Sequence, residues 1–157
     1  MTQRAIDGNF VYFVTTNTTY REIFFVDEQQ AELLGQIIRN ACRLKHFELL
    51  GYCILPDHVH LLVNNNNTPQ RGIRIPRCGW YTLSDLMHSI KRNFARQQPH
   101  SGRLWQPRFN FRIIDSEARL YRTIEYIRYN YRKNELPEIF GQAPWVYIDW
   151  QAIQRLQ

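Results

Sequence analysis

Strand-like and helix-like patterns of apolar residues follow one another along the chain in an order that predicts an α+β fold. Four runs have the composition or the strict alternation of strands, and they span residues 10–16, 47–55, 58–63 and 108–115. In the last run Phe109, Phe111 and Ile113 alternate with polar residues. This alternation predicts a half-buried strand with its apolar side toward the core.

Three other segments have the apolar spacing of helices, and each begins at a residue suited to cap one. Asp27 opens a helix to about Lys45, Thr82 opens the second, and Ser116 opens a third to about Asn134. The order β-α-β-β-α-β followed by a helix predicts a ferredoxin-like antiparallel sheet with an appended C-terminal helix. We expect the first two helices to cover one face of this sheet and leave the other face for ligands.

The length of the chain, 157 residues, predicts a single domain over 1–157, with a core over about 9–135 and a tail over 136–157. The tail contains Trp145, Tyr147 and Trp150 and is apolar enough to pack back on the body. The start does not resemble a signal peptide, and no stretch approaches the length of a membrane span. We therefore expect a cytoplasmic protein without membrane contact.

Charge and cysteine content narrow the class of protein further. The chain has 20 Lys and Arg residues against 14 Asp and Glu residues, a formal net charge of +6. Arginine supplies most of the positive charge, and its planar guanidinium group suits phosphate recognition. The 3 cysteines are scattered, which favours reduced thiols over a disulfide scaffold or a zinc ribbon.

Two histidines lie one residue apart in the third predicted strand. Because residues i and i+2 of a strand point to the same face, His58 and His60 are expected side by side, with Val59, Leu61 and Val63 on the other face. Two adjacent imidazoles can hold a metal ion or a phosphate. The alternative of two ordinary strand histidines stays open on this pattern alone.

The third predicted helix offers a partner for the histidines. Its apolar stripe consists of Leu120, Ile124, Ile127 and Tyr131, and a polar stripe roughly opposite contains Arg119, Arg122, Tyr126, Asn130 and Lys133. Tyr126 and Asn130 stand one turn apart on the polar stripe.

These side chains together suggest a nuclease-like site. The imidazoles of His58 and His60 and the amide oxygen of Asn130 could form a three-ligand metal site, with Tyr126 near a bound phosphate. Arg119, Arg122 and Lys133 would then hold the DNA backbone. Tyr129 is a rival nucleophile on the accessible side, but Lys133 rather than a neutral oxygen ligand follows it by one turn.

Other basic residues are candidate DNA contacts. Lys91 and Arg92 lie off the buried stripe of the second helix. Arg71, Arg74 and Arg77 lie in an irregular segment over 64–81, which is either a DNA clamp or a solvated loop.

Four motifs occur in an order that resembles a known family. "GYCILPDHVHLLV", "LSDLMHSIKRNFAR", "LWQPRF" and "YRTIEYIRYN" resemble the successive segments of the His-hydrophobic-His (HUH) single-tyrosine transposases. The pair Trp105-Gln106 resembles most the REP-associated tyrosine transposases, which act on repetitive extragenic palindromes. The resemblance covers about residues 9–135.

The resemblance implies an endonuclease and strand transferase acting on single-stranded DNA with hairpins, with Mg²⁺ or Mn²⁺ as cofactor. It implies metal binding by His58, His60 and Asn130, and attack by Tyr126 to leave a 5′-phosphotyrosine bond and a free 3′-hydroxyl. Two features depart from the family pattern. Tyr131 replaces the proline that commonly follows the asparagine, and the segment 64–81 is longer and more basic than usual.

Two other functions remain open at this point. A non-catalytic nucleic-acid-binding module could stack bases on Phe10, Tyr12 and Tyr52 of the sheet. A degenerate transposase could bind hairpins without cutting them. The oligomeric state is either a monomer or a homodimer that exchanges the third helix, and the short link before that helix favours the monomer.

Overall fold

A computed structural model describes residues 10–65 and 81–156 of the chain. Five strands lie in this part, β1 (Val11–Asn17), β2 (Phe47–Leu55), β3 (His58–Asn65), β4 (Asn110–Ile114) and β5 (Val146–Ile148). The α-helices are α1 (Glu28–Leu44), α2 (Leu83–Gln97), α3 (Glu117–Lys133) and α4 (Trp150–Arg155). None of the helices in the described ranges is long and apolar enough to cross a membrane.

The helices begin where the capping residues predict. The Asp27 side chain accepts a hydrogen bond from the amide of Gln29 at the start of α1. Thr82 and Asp85 form a reciprocal capping box at the start of α2, in which each side chain accepts from the other residue's amide. Ser116 accepts from the amide of Arg119 at the start of α3. These polar side chains satisfy amides that have no partner within the helix.

The strands form one antiparallel sheet in the order β4-β1-β3-β2-β5. The first four strands and the helices between them reproduce the predicted β-α-β-β-α-β arrangement with an appended helix, so the predicted fold class is confirmed. Strand β5 and helix α4 were not predicted from the sequence. The three residues of β5 extend the sheet by pairing with Gly51–Cys53 of β2.

Helices cover both faces of the sheet. On one face α1 and α2 pack on a core that includes Val59, Leu61 and Val63 of β3. On the other face α3 and α4 form a second core with Phe13, Leu50 and Leu62 of the strands. The expectation that one face is left free for ligands is therefore wrong, because α3 and the short α4 bury much of it. Within the described residues, the histidine pair and the groove next to it lie at β1, β3 and β4 on this face.

The last strand of the ferredoxin-like unit is less buried than its alternation predicts. Phe111 and Ile113 are 53% and 42% exposed, whereas Ile114 is buried toward α3. The prediction of a buried aromatic side is wrong for these two residues, because β4 is an edge strand that α1 and α2 do not cover.

Candidate active site between the sheet and α3

The two histidines of β3 lie next to each other on the face that carries α3. Their ring centroids are 4.8 Å apart, and the rings are nearly perpendicular at 79°. Both residues are buried, His58 at 7% and His60 at 5% exposure. Val59, Leu61 and Val63 pack in the core on the opposite face. The predicted placement of the histidine pair is therefore confirmed.

Each histidine uses its Nδ1 atom within the protein. Nδ1 of His58 lies 2.6 Å from Oδ1 of Asp57, whose Oδ2 accepts a hydrogen bond of 3.0 Å from Nε of Arg21. Because an ionised carboxylate can only accept, Nδ1 of His58 carries the proton and Nε2 keeps its lone pair. Nδ1 of His60 lies 2.8 Å from Oγ1 of Thr15.

The remaining nitrogen of His60 is available for a ligand. Its Nε2 atom is buried and has no hydrogen-bond partner among the described residues. Metal-binding histidines typically have this arrangement, in which one ring nitrogen is oriented by a neighbouring oxygen and the other faces the ion. Asp57, Arg21 and Thr15 are contributors that the sequence analysis missed.

Burial keeps the imidazoles in the neutral form that binds metals. Burial lowers the pKa of His60 from 6.5 to about 3, and electrostatic interactions with the neighbouring His58 and with the charged Lys133 and Arg112 act in the same direction. Burial also lowers the pKa of His58, although the Asp57 carboxylate opposes this shift. For Asp57, burial would raise the pKa, but hydrogen bonds from His58 and Arg21 outweigh it and lower the value.

Tyr126 of α3 faces the histidines. Its ring centroid is 5.4 Å from that of His60 and 5.9 Å from that of Phe13, and the residue is partly buried. Phe13 itself stacks on His60 at 5.1 Å. Nζ of Lys133 lies 3.4 Å from the Tyr126 hydroxyl oxygen and 4.9 Å from the ring centroid. The structure thus places a cation next to the phenol oxygen.

Asn130 is buried one turn beyond Tyr126, at 1% exposure. Its Oδ1 accepts a hydrogen bond of 2.7 Å from Nδ2 of Asn134, which also donates to the Asn130 backbone oxygen. The second lone pair of Oδ1 remains for another partner. The helix backbone departs from regular geometry at Tyr129, immediately before Asn130, yet α3 continues through Tyr131 without the family's proline. The buried position of Asn130 is compatible with its predicted role.

A groove lies beside Tyr126 between α3 and the edge strand β4. It has a volume of about 500 Å³ and is lined by Phe13, Arg112, Ile113, Ile114, Arg119, Arg122, Thr123 and Tyr126. Arg119 and Arg122 were predicted to contact DNA, and the structure brings both to this groove. Arg119 also pairs with Asp115 at 3.1 Å, with both side chains largely exposed.

Arg112 is a basic residue of the groove that the sequence analysis did not select. It lies opposite Phe13 in the β1–β4 register, and its guanidinium carbon is 5.4 Å from the centre of the Phe13 ring. Because Phe13 stacks on His60, Arg112 belongs to the same layer of side chains as the histidines. The alternation of β4 did contain the signal, since it separated Arg112 from the aromatic side of the strand.

The other predicted DNA contacts are not brought to this site. Lys91 and Arg92 lie on α2, which packs on the opposite face of the sheet. Nζ of Lys91 donates to the backbone oxygen of Gln106, and burial lowers the pKa of this lysine. Arg71, Arg74 and Arg77 lie outside the described residues.

Rival interpretations of the site receive less support. Tyr52, one of the aromatics expected to stack bases, is buried at 2% exposure under α1 and α2. Burial raises the pKa of the Cys42 thiol to about 12 and raises that of Cys53 as well, so neither is a ready nucleophile. Within the described ranges no three His, Cys, Asp or Glu residues cluster, so an ion at the histidines would need another kind of third ligand.

Comparison with known sequences identifies relatives of the chain. A family model described as "Transposase IS200 like" matches residues 8–130. A candidate REP-associated tyrosine transposase from Haemophilus influenzae is 30% identical over 109 residues. The matched stretch is 68% of this chain and 62% of that relative, so the chain spans less than two thirds of the relative's length.

Solved structures share the fold. A REP-associated tyrosine transposase bound to a REP hairpin matches with a TM-score of 0.64 and 22% identity, covering 87% of this chain and 75% of the other. At this level of identity the likeness establishes the fold alone. A candidate transposase from Deinococcus radiodurans matches with a TM-score of 0.53 and 28% identity, covering 82% of this chain and 92% of the other.

Proposed function

The chain belongs to the IS200-like transposase family, and from this premise we propose that it cuts and rejoins single-stranded DNA through Tyr126. The observation that carries the proposal is the contact between Tyr126 and His60, whose ring centroids are 5.4 Å apart. An aromatic hydroxyl lies beside a neutral imidazole with an available Nε2, and a lysine ammonium lies beside the hydroxyl. A module that only binds nucleic acid has no need of this combination.

The donor set fits a hard divalent cation. We propose that Nε2 of His58, Nε2 of His60 and Oδ1 of Asn130 hold Mg²⁺ or Mn²⁺. The buried Nε2 of His60, which has no hydrogen-bond partner among the described residues, supports this assignment, since buried polar groups without partners are rare. Oδ1 of Asn130 is buried with its residue and accepts one hydrogen bond, from Asn134, which leaves it a lone pair for an ion. When bound, such an ion polarises the scissile phosphodiester and stabilises the charge that develops during attack.

In the cutting step the Tyr126 oxygen attacks the phosphorus atom in line with the leaving 3′-oxygen. The phenol gives up its proton to solvent, the new O–P bond forms a 5′-phosphotyrosine, and the 3′-oxygen leaves and takes a proton to become a hydroxyl. Lys133 favours the step by donating a hydrogen bond to the phenol oxygen as it becomes negative. Attack by a 3′-hydroxyl on the phosphotyrosine reverses the step, so rejoining needs no nucleotide cofactor.

We propose that the substrate is single-stranded DNA that contains hairpins. Arg112, Arg119 and Arg122 line the groove beside Tyr126, and their guanidinium groups suit the phosphates of a strand lying in it. A solved structure with the same fold contains a REP hairpin, which supports the same class of partner here.

The proposal is tested by replacing Tyr126 with phenylalanine, which keeps the ring and removes only the hydroxyl. The protein is incubated with Mn²⁺ and a labelled hairpin oligonucleotide that has single-stranded flanks, and covalent adducts are resolved on denaturing gels. We expect the wild type to form an adduct and Tyr126→Phe to form none while keeping its affinity for the hairpin.

Tyr129→Phe is the matched control, because Tyr129 is the neighbouring tyrosine on the accessible side of α3. Its adduct formation should equal that of the wild type. Loss of the adduct in Tyr129→Phe alone would assign the nucleophile to Tyr129. A wild type that binds hairpins and forms no adduct with any of them would identify a degenerate transposase that binds without cutting.

A further inference from the structure

Aromatic rings and guanidinium groups alternate on the outer surface of α3 and α4. Arg128 lies 5.5 Å from the ring centre of Trp150 and 5.0 Å from that of Tyr129, and Arg132 lies 4.8 Å from the Tyr129 ring. We call these four residues, Arg128, Tyr129, Arg132 and Trp150, the stacking surface. Trp150 is 45% exposed and Tyr129 is 36% exposed.

Packing does not account for this surface. Helix α4 is already anchored by Ala152 and Ile153, which are buried against α3 and the sheet. Neither Arg128 nor Arg132 forms an ion pair with a carboxylate within the described residues. The surface therefore presents positive charge that no carboxylate of the described residues neutralises in an ion pair, together with aromatic rings that are partly exposed beside the guanidinium groups.

The stacking surface is connected to Tyr126 around the helix. At about 100° per residue, Tyr129 lies about 60° from Tyr126 on the exposed side of α3, and Arg132 and Arg128 lie progressively further round. At the Tyr126 end, the ammonium group of Lys133 lies 4.9 Å from the Tyr126 ring centre. The exposed Glu125 lies on the same side of α3, and the two arginines outweigh its single negative charge.

We infer that the stacking surface binds unpaired DNA, as a track that leads a single strand from Tyr126 over α3 to Trp150. Bases stack on exposed aromatic rings whatever their sequence, and arginines contribute both cation–π contacts and phosphate contacts. Paired DNA hides its base faces, and an acidic peptide has no succession of planar rings. The inference rests on the proposed function, because it identifies the strand as the unpaired flank of the hairpin being cut.

The track is tested by binding rather than by cutting, with EDTA present so that no adduct forms. The probes are fluorescein-labelled oligothymidine of about 12 nucleotides, a blunt duplex of the same length, and polyglutamate as a competitor. We expect Trp150→Ala and Tyr129→Ala each to weaken oligothymidine binding about tenfold and to leave the duplex affinity unchanged. Trp150→Phe, which keeps a ring, should bind within about twofold of the wild type.

Tryptophan fluorescence gives a second measurement that a purely structural role would not change. Among the tryptophans of the described ranges, Trp105 and Trp145 are buried at 6% and 2% exposure and Trp150 is exposed, so we expect quenching by oligothymidine to come from Trp150. We expect the quenching to disappear in Trp150→Phe and to persist in Trp80→Phe. Arg128→Gln and Arg132→Gln should each lower by about 0.7 the salt slope, which is the slope of the logarithm of the binding constant against the logarithm of the salt concentration. Arg43 is an exposed arginine of α1 on the other side of the sheet, and Arg43→Gln is the control. It should change neither the salt slope nor the quenching.

The outcomes separate this inference from the proposed function. Unchanged affinity in Trp150→Ala and Tyr129→Ala, or no quenching in the wild type, would overturn the track even if Tyr126 forms an adduct. Competition by polyglutamate as strong as that by oligothymidine would also overturn it, because the surface would then bind acidic chains in general. Weakened binding in these variants supports the track even if no adduct is ever found.

Discussion

The Asp57 carboxylate contacts two side chains at the site, and its removal should weaken metal binding without removing a ligand. Oδ1 of Asp57 holds Nδ1 of His58, and Oδ2 holds Arg21. We expect Asp57→Asn to weaken Mn²⁺ binding about 10- to 100-fold. The asparagine amide can donate a hydrogen bond to Nδ1 of His58, which would move the proton to Nε2, the nitrogen proposed to bind the metal. Isothermal titration calorimetry with Mn²⁺ measures this change.

Two further variants serve as controls for Asp57→Asn. Glu32→Gln on α1 removes an exposed carboxylate far from the histidines and should leave Mn²⁺ affinity at the wild-type value. His60→Ala removes a proposed ligand and should lose binding altogether. If Asp57→Asn binds Mn²⁺ as tightly as the wild type, the carboxylate does not position His58 for a metal.

The buried histidines should make the metal-free protein lose stability as the pH falls below about 6.5. The pKa of His60 is about 3 in the folded protein against 6.5 in the unfolded chain, so the unfolded state takes up the proton first. This stability is fully present above pH 6.5 and is lost progressively as the pH falls toward 3. Between pH 6.5 and 5 the loss should be about 1 to 2 kcal/mol, and His58 shifts in the same direction.

Urea unfolding in EDTA at a series of pH values measures this loss. The window from pH 7 to 5 lies above the range in which carboxylates titrate, so histidines dominate the slope. His60→Ala should flatten the dependence of the unfolding free energy on pH, whatever it does to absolute stability. An equal slope in the variant and the wild type would show that His60 is not held neutral by burial.

Residue-level features were predictable when they depended on local spacing. The two-residue period placed His58 and His60 on one face, and the helical period placed Tyr126 and Asn130 one turn apart. Thr15 could not be predicted as the partner of His60, because β1 and β3 meet only through the sheet register. The same holds for Arg21, which lies 37 residues before His58, donates to Asp57 through Nε and has its Nη2 3.5 Å from Nδ1 of His58.

At the scale of elements, the groove between β4 and α3 receives basic side chains from both elements. Arg112 is the basic residue that β4 contributes, beside Ile113 and Ile114, while Arg119 and Arg122 come from α3. We expect Arg112→Gln to weaken binding of every single-stranded DNA several-fold and to lower the salt slope by about 0.7, because a phosphate contact is lost. Fluorescence anisotropy at several salt concentrations measures both effects.

Arg43→Gln removes an equal charge from α1 and serves as the matched control for Arg112. Its salt slope should equal that of the wild type. A loss of affinity confined to one DNA sequence in Arg112→Gln would mean that this arginine reads bases instead of phosphates. We expect such a sequence-confined loss from Arg71, Arg74 or Arg77 instead, which stays a prediction because these residues lie outside the described ranges.

Helices that begin at a capping residue were predicted well from the sequence. Features that depend on which elements pack against a strand were not. The caps Asp27, Thr82 and Ser116 fixed the helix starts, because each satisfies amides within its own first turn. The prediction that β4 buries its apolar side was wrong for Phe111 and Ile113. An alternating pattern does not show whether a helix covers the strand, and β4 lies at the edge of the sheet. The three-residue β5 has too few positions for a period to be recognised.

At the scale of the whole molecule, the order of motifs carried more information than any single motif. The predicted resemblance to single-tyrosine transposases is confirmed by the family match and by the similarity to a REP-associated tyrosine transposase. The predicted tail does pack back, with Trp145 buried and Ile54 donating to its backbone oxygen. Trp150 instead stays exposed, because α4 turns its small and aliphatic residues Ala152 and Ile153 inward.

The short connection between the sheet and α3 indicates that the histidines and the tyrosine of one site come from the same chain. Only Asp115 and Ser116 separate β4 from α3, and Leu120, Ile124 and Ile127 of α3 pack in one core with the strands. A helix exchanged between two copies would have to leave this core through a two-residue link. We therefore predict a monomer in which the histidines and Tyr126 of one chain act together.

Mixing two inactive variants tests this arrangement directly. Tyr126→Phe keeps the histidines and His60→Ala keeps the tyrosine, so a dimer that exchanges α3 would regain complete sites when the two are co-expressed. About a quarter of the wild-type number of sites would return in such a dimer, from random pairing of the chains. We expect no adduct from the mixture, because neither chain carries both groups and no helix is exchanged. Recovery of adduct formation to about that fraction would instead establish sites shared between two chains.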